Sequence, residues 1–432
     1  MANALSYREG GWGWVAVFSA FLAELIVYGS LKAFGVLITS MKEDFQTNLW
    51  IVGSICALHF GVQFVLTPLA TAAACQYRSR VVITLGGVLY GFGLVISSVV
   101  QNIVPFAVFL ILIAGSGAAC TLETTRAEVA FYFQEKYAVA SFLALAGGPI
   151  GMMLYGPVTQ VLLETYGWRG ALLLIGGTSF HLICSGLLVR RPTRVYAKLL
   201  DDCTDPGPDN GPSSSQTDRC LAKLSKVIAG TLGLDLFLCL DFLLLAAVRL
   251  FTNACYGGIL VYMVPNGLAV GLSPSEAALL TTVFGVGSLA GLSLTALVLH
   301  TEVLSCHATG AIAGCMTVVA LALDTFISTP IGHMANTCII GAGIHSIIQV
   351  TSVLTRGLPY GDDRFVVVLG WQSFLAGVAT SGGDTLSGWL YGATQSFHGT
   401  FFMYSAFMTA TVLFLLVDFI RAFITTRRRS TL

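Results

Sequence analysis

The chain has 432 residues, of which 55% are hydrophobic and only 10% charged, with Lys+Arg and Asp+Glu balanced at 22 each. Soluble chains carry about 25% charged residues, so the composition describes an all-α polytopic membrane protein and excludes a globular enzyme. A net charge of zero leaves no bulk footprint for nucleic acid.

Hydropathy places twelve apolar spans, near 12–40, 49–74, 80–100, 105–131, 137–163, 169–189, 237–265, 275–299, 304–325, 329–355, 365–392 and 399–424. Each is long enough for a hydrocarbon core of about 30 Å at about 1.5 Å per residue. The first is too long, and lacks the small-residue cleavage site, for a signal peptide, so it reads as a retained span. The one long polar stretch contains DDCTDPGPDNGPSSSQTD and predicts a disordered linker. The expected division is a leading segment 1–11, a six-helix bundle 12–189, a linker 190–236, a second six-helix bundle 237–424 and a basic tail 425–432.

Charge placement orients these spans. Seventeen of the 22 basic residues fall on the side of the termini, against Lys42 and Arg169 on the other, which predicts both termini in the cytoplasm. Three basic residues remain within spans: Lys32, Arg126 and Arg249. A lysine deep in lipid costs roughly 2.5–3.5 kcal/mol on insertion scales, so Lys32 either faces a cavity or snorkels to the headgroups.

The first span also sets Glu24, Tyr28 and Lys32 on one face, and Glu24 is read either as a proton carrier or as the partner of a nearby cation. In the fourth, Glu123 and Arg126 are three apart and can pair, as a structural ion pair or as a clamp in which Arg126 grips a carboxylate and Glu123 titrates. In the seventh, Arg249, Asn253 and Tyr256 share a face that should look into a cavity. His345 and Gln349 share a face of the tenth span, as substrate ligands or as neutral packing groups. Asp384 in the eleventh is a further buried acid and a candidate for proton coupling. The 11 cysteines are scattered in apolar runs without a Cys-x-x-Cys pair, and no metal or cofactor site is expected. The glycines of GGVLYGFG, 86–93, have no preceding strand and read as helix-packing positions, not as a phosphate loop.

Several stretches carry a resemblance. Glu9-Gly10-Gly11-Trp12-Gly13-Trp14 resembles the acidic-Gly-Gly-Trp-Gly-Trp opening of the monocarboxylate transporter family, a branch of the major facilitator superfamily. Tyr132 to Gly151 resembles the family's fifth-span signature, keeping Tyr132, Phe133, Ala140, Ala144, Ala146, Gly147 and Gly151. Tyr166-Gly167-Trp168-Arg169-Gly170 matches its Gly-Trp-Arg-Gly, and Leu272 to Leu280, Asp363-Arg364-Phe365 and Gly388 keep a weaker register in the second half.

The resemblance implies a major facilitator fold of 12 helices in two six-helix halves related by a pseudo-two-fold axis along the membrane normal. It implies alternating-access transport at the plasma membrane of a small monocarboxylate or related organic anion or zwitterion, with proton linkage open. It also implies a lysine or arginine at the position of Lys32 that helps hold the carboxylate, and an ancillary single-span immunoglobulin-like glycoprotein as a partner of some members. Three departures bear on the mechanism. The Lys-Arg-Arg triplet of the fifth-span signature reads Glu135-Lys136-Tyr137, the Asp and Arg of the eighth span fall on Ser288 and Leu292, and Gly-Pro-Pro of the eleventh is Gly383-Asp384-Thr385. These leave four readings: a cation relocated to Arg126 or Arg249, a substrate that is not a simple monocarboxylate, an uncoupled facilitator, or a transport-dead regulatory or binding protein.

Overall fold

The first helix, α1 (Trp12–Asp44), starts where Gly11 turns the backbone into the left-handed region at φ 56°, a conformation that a Cβ disfavours. Trp12 then donates from Nε1 to the Leu188 carbonyl at 2.7 Å, and Trp14 lies 4.9 Å from the Phe133 ring. A Cβ at Gly13 would stand 2.9 Å from that same ring. The opening motif and the Tyr132-Phe133 pair are therefore two sides of one contact.

The structure is a computed structural model that describes residues 10–190, 233–327, 329–358 and 362–430. Residues 1–9 and nearly all of the expected linker lie outside the described residues. The first half continues with α2 (Leu49–Val65), α3 (Thr67–Gln76), α4 (Ser79–Val99), α5 (Ile103–Val108), α6 (Gly115–Tyr132), α7 (Tyr137–Leu145), α8 (Gly147–Ser179) and α9 (His181–Leu188). A π-helical turn, Phe109–Ala114, joins α5 to α6. The second half holds α10 (Leu240–Ala269), α11 (Pro274–His300), α12 (Cys306–Leu323), α13 (Pro330–Arg356), α14 (Asp362–Thr394) and α15 (Phe397–Ser430).

Among the described residues ten stretches are long and apolar enough to span a membrane, and the bent pair Ile51–Val65 and Thr67–Ala74, taken as one span, makes an eleventh. One of the ten, Tyr137–Leu188, has 52 residues, about 78 Å of helix and far more than one crossing needs. It breaks at Gly167, φ 68° and ψ 175°, between two spans. That gives the twelve crossings expected from hydropathy. Ser273 opens α11 with a reciprocal cap: its backbone N–H donates to Glu276 Oε2 at 2.9 Å, and the Glu276 N–H donates back to its hydroxyl.

Each half has its own apolar core, around Leu37, Met41, Tyr90, Leu94 and Phe106 in the first and Phe284, Ile344, Ile347, Tyr404 and Met408 in the second. Outward faces are apolar too, as at Phe18, Leu85 and Leu294, which a lipid solvent requires. Within the first half α1 and α8 touch backbone to backbone. A Cβ on Gly147 or Gly151 would run into the carbonyl oxygens of Phe21 and Leu25. These small residues of the fifth-span signature therefore pack one half internally and do not line the seam between halves.

The seam is made by α11 against α7 and α8, α13 against α7, and α14 against α2, α3 and α6. Hydrogen bonds cross it. Gln349 Nε2 on α13 donates to the Ala138 carbonyl on α7 at 2.9 Å, and Thr67 Oγ1 on α3 donates to the Gly370 carbonyl on α14 at 2.9 Å. Both lie towards the face where α1 begins and α15 ends, called here the terminal face. At the opposite, distal face each half is tied within itself. Arg169 grips Asp44 at 2.7 Å and the carbonyls of Val100 and Ser98 at 2.6 and 3.2 Å. Buried Asp324 receives the amides of Asn266 and Asn336 at 2.9 and 2.8 Å.

Candidate functional site

Between the halves lie two connected spaces, and the residues singled out in the sequence divide between them. The chamber nearer the terminal face is lined by Glu24, Tyr28, Arg126, Arg249, Asn253, Tyr256, Leu292 and His345, and has a free volume of about 60 Å³. Arg126 is its centre. Its Nε donates to Glu24 Oε1, its Nη1 to Glu123 Oε1 at 2.8 Å and its Nη2 to the Tyr28 hydroxyl at 3.4 Å. Both carboxylates are almost fully buried, so the planar guanidinium fork is occupied by two acids in a low-dielectric setting.

Arg249 enters the same chamber from α10 and has no carboxylate partner among the described residues. Its Nη1 donates to Ser352 Oγ at 3.4 Å, and its buried Nε has no acceptor. Asn253, also in the lining, donates its side-chain amide back to the Arg249 carbonyl at 2.7 Å. Tyr256 stands edge-on to the His345 ring, with centroids 5.5 Å apart. His345 Nδ1 lies 3.3 Å from the Gly341 carbonyl one turn back. Leu292, where the resemblance leads one to expect an arginine, is buried in the wall of this chamber, while Ser288 bonds the Phe284 carbonyl at 2.8 Å on its own helix.

Phe60, Met152 and Thr380 line both spaces and form a neck between them. Beyond the neck a cavity of about 630 Å³ extends towards the distal face, within the usual size of ligand pockets. Its walls are largely apolar, from Phe34, Met152, Met153, Met263 and Phe284. Two charged residues line it from opposite halves: Lys32 from α1 and Asp384 from α14. Both are half-buried, and neither forms an ion pair or hydrogen bond with a described residue. Towards the terminal face the path narrows to about 20 Å³ between Arg126, Arg249, Tyr137 and Ser352.

Helix spacing put Glu24, Tyr28 and Lys32 on one face of α1; the neck separates the first two from the third. Gln349 lies outside both linings, its amide engaged across the seam with Ala138. Sequence reasoning had not picked out Thr281, Thr282, Thr380 and Ser381, which supply hydroxyls to the large cavity. Adjacent hydroxyl pairs in apolar helices were their only signal. His59 is likewise buried, with Nδ1 2.8 Å from the Leu110 carbonyl in the π-helical turn, an anchor for that turn.

A sequence profile of the Major Facilitator Superfamily matches residues 20–383. Among curated proteins, the chain is 30% identical to human monocarboxylate transporter 11 over 280 residues, covering 65% of this chain and 54% of that one. It is 29% identical to human monocarboxylate transporter 12 over 305 residues (67% and 57%), and 35% identical to mouse monocarboxylate transporter 11 over 182 residues (42% and 41%). The chain thus spans about half the length of the curated relatives it matches. Among solved structures it resembles the major facilitator transporter FucP in the outward conformation, with TM-score 0.64 and 14% identity over 94% of this chain and 98% of that one. An alanine variant of the E. coli fucose:proton symporter gives 0.67 at 12% identity, over 93% and 98%. At such identities the likeness concerns the fold alone.

Proposed function

We propose, on the premise that this chain belongs to the Major Facilitator Superfamily as a divergent relative of its monocarboxylate transporters, that it carries a small monocarboxylate or related organic anion or zwitterion by alternating access. In this reading the chain is a secondary transporter and not an enzyme. The observation that carries the reading is Lys32, a cation without an ion pair among the described residues, in the wall of a cavity between two halves that are hydrogen-bonded to each other towards the terminal face.

In this reading the cavity accepts substrate from the distal side. Lys32 attracts the carboxylate, and Arg249, whose Nε lacks an acceptor, receives it past the neck. Rupture of the Gln349–Ala138 and Thr67–Gly370 bonds then opens the terminal side as the halves rock. Protonation of Glu24 or Glu123 would loosen Arg126 and offer a second guanidinium, which is how a proton gradient would couple. A second reading, uncoupled facilitation, is favoured by the Glu24–Arg126–Glu123 cluster, in which both acids already engage Arg126 without substrate. The excess of basic residues on the terminal side supports a plasma-membrane orientation with both termini in the cytoplasm. The family resemblance also supports an immunoglobulin-like ancillary glycoprotein.

The test is uptake of labelled small acids into cells expressing the chain, with and without an inward proton gradient, beside Lys32→Ala and Arg249→Gln. Saturable uptake lost in both variants is expected. Undiminished uptake in Lys32→Ala at equal surface level would remove Lys32 from the pathway. Indifference to the gradient would select the facilitator.

A further inference from the structure

Lys32 and Asp384 point to a more specific ligand. We propose that the large cavity is a two-charge site for a small zwitterion, whose carboxylate meets Lys32 and whose ammonium or other cationic end meets Asp384. The inference rests on the transport reading above and specifies its substrate class.

Three observations carry it. First, both residues line one cavity of about 630 Å³ and neither has an ion pair or hydrogen bond with a described residue. Charged groups in an apolar, half-buried setting are costly unless matched. Of the other charged groups lining the two spaces, Glu24 and Arg126 pair with each other and Arg249 donates to Ser352. Second, the opposing charges come from opposite halves, α1 and α14. A simple anion would satisfy Lys32 but would be repelled by Asp384, whereas a zwitterion satisfies both, so the pair discriminates by charge pattern and not only by fit. Third, Thr281, Thr282, Thr380 and Ser381 line the same space; Thr281 and Thr380 donate their protons to the Ala278 and Ala376 carbonyls and so offer acceptors to a cationic end, while Met152, Met153 and Phe284 line the apolar remainder.

The site also gives the substrate a mechanical role. Asp384 follows Gly383, where a Cβ would run into the Ala254 carbonyl, so α14 is seated on α10 at the very turn that carries the acid. A molecule held by Lys32 on one half and by Asp384 on the other tethers α1 to α14 at the distal side. Binding then favours closure of that side, which is the differential interaction that a ligand-driven change of state requires.

The experiment uses the full chain, expressed at the cell surface and, in parallel, purified in lipid nanodiscs. Probes are matched pairs that differ by one ammonium group: ω-amino acids from glycine to 6-aminohexanoate against acetate to hexanoate. Uptake and ligand-induced thermal stabilisation are read for the wild type, Asp384→Asn, Asp384→Glu and Lys32→Gln. The expected result is that at least one amino acid outcompetes its matched plain acid by about tenfold or more, the worth of one charged hydrogen bond. Asp384→Asn should abolish that preference while keeping the plain acid, Asp384→Glu should restore part of it, and Lys32→Gln should lose both classes. Preference for the plain acids in the wild type, or amino-acid uptake unchanged in Asp384→Asn, overturns the two-charge site but leaves transport standing. No uptake or stabilisation by either class, with surface expression confirmed, overturns both.

Discussion

Arg126 on α6 binds Glu24 on α1 across the first half, and the same guanidinium holds Glu123 one turn earlier on its own helix. The three groups form one buried unit in which a single cation compensates two acids. Removing the cation leaves two unpaired buried carboxylates, and breaking a buried pair in this way costs about 3–5 kcal/mol. Removing one acid leaves the other bond in place.

From this asymmetry, Arg126→Met should lower the thermal unfolding temperature and the surface level of the protein far more than Glu24→Gln does. The double variant Glu24→Gln/Arg126→Met should be less damaged than the sum of the singles predicts. Size-exclusion thermostability in detergent reads both quantities. Additive losses would mean that Glu24 and Arg126 do not act as a unit.

The two hydrogen bonds across the seam make a second prediction. A neutral hydrogen bond is worth about 0.5–1.5 kcal/mol net, so Gln349→Ala or Thr67→Val should shift the balance of states towards terminal-side opening by roughly two- to tenfold each. Hydrogen–deuterium exchange in Tyr137–Leu145 and in the first two turns of α14 should rise in both variants, while exchange around Arg169 stays constant. Uniform changes over the whole chain would mean general destabilisation and not release of a latch.

Much of the fold could be read from the sequence because lipid imposes a simple rule. Long apolar runs are spans, and basic residues mark one side. The break at Gly167 fell between two expected spans, and the cap of α11 was visible in Ser273 and Glu276. Local pairs were legible for the same reason: Glu123 and Arg126 are three apart. What the sequence did not reveal depends on the packing of distant helices. Nothing near Glu24 says that its partner is Arg126 and not Lys32, eight positions along its own face. Thr67 and Gln349 bond to backbone carbonyls, at Gly370 and Ala138, and a carbonyl leaves no mark in the residue type. Lys32 and Asp384 share a cavity only because the two halves are joined.

Arg169 makes a further prediction at the distal face. It reaches Asp44 with Nε and Nη2 and the carbonyls of Ser98 and Val100 with Nη1, and its guanidinium lies 4.4 Å over the Trp168 ring. A lysine has neither the planar fork nor the same stacking. Arg169→Lys should therefore destabilise the first half by about 1.5–3 kcal/mol, the range for hydrogen bonds to charged groups. Thermostability measured beside Asp44→Asn checks this. If Arg169→Lys loses no more than Asp44→Asn, the carbonyl contacts contribute nothing.

The glycines of α8 offer the sharpest contrast within one helix. At Gly151 an added Cβ would meet the Leu25 carbonyl and backbone of α1, whereas at Gly177 it would meet nothing within 4 Å. The α1 backbone cannot yield locally without losing its own hydrogen bonds, and overpacking of this kind typically costs about 1–3 kcal/mol or more. Gly177→Ala instead gains helix propensity of up to about 1 kcal/mol. Gly151→Ala should consequently reduce folded protein at the cell surface severalfold, with Gly177→Ala equal to or above the wild type. The comparison is made by surface labelling and by the unfolding temperature of the purified protein. Equal behaviour of the two variants would mean that α1 and α8 do not meet as closely as the Gly151–Leu25 contact requires.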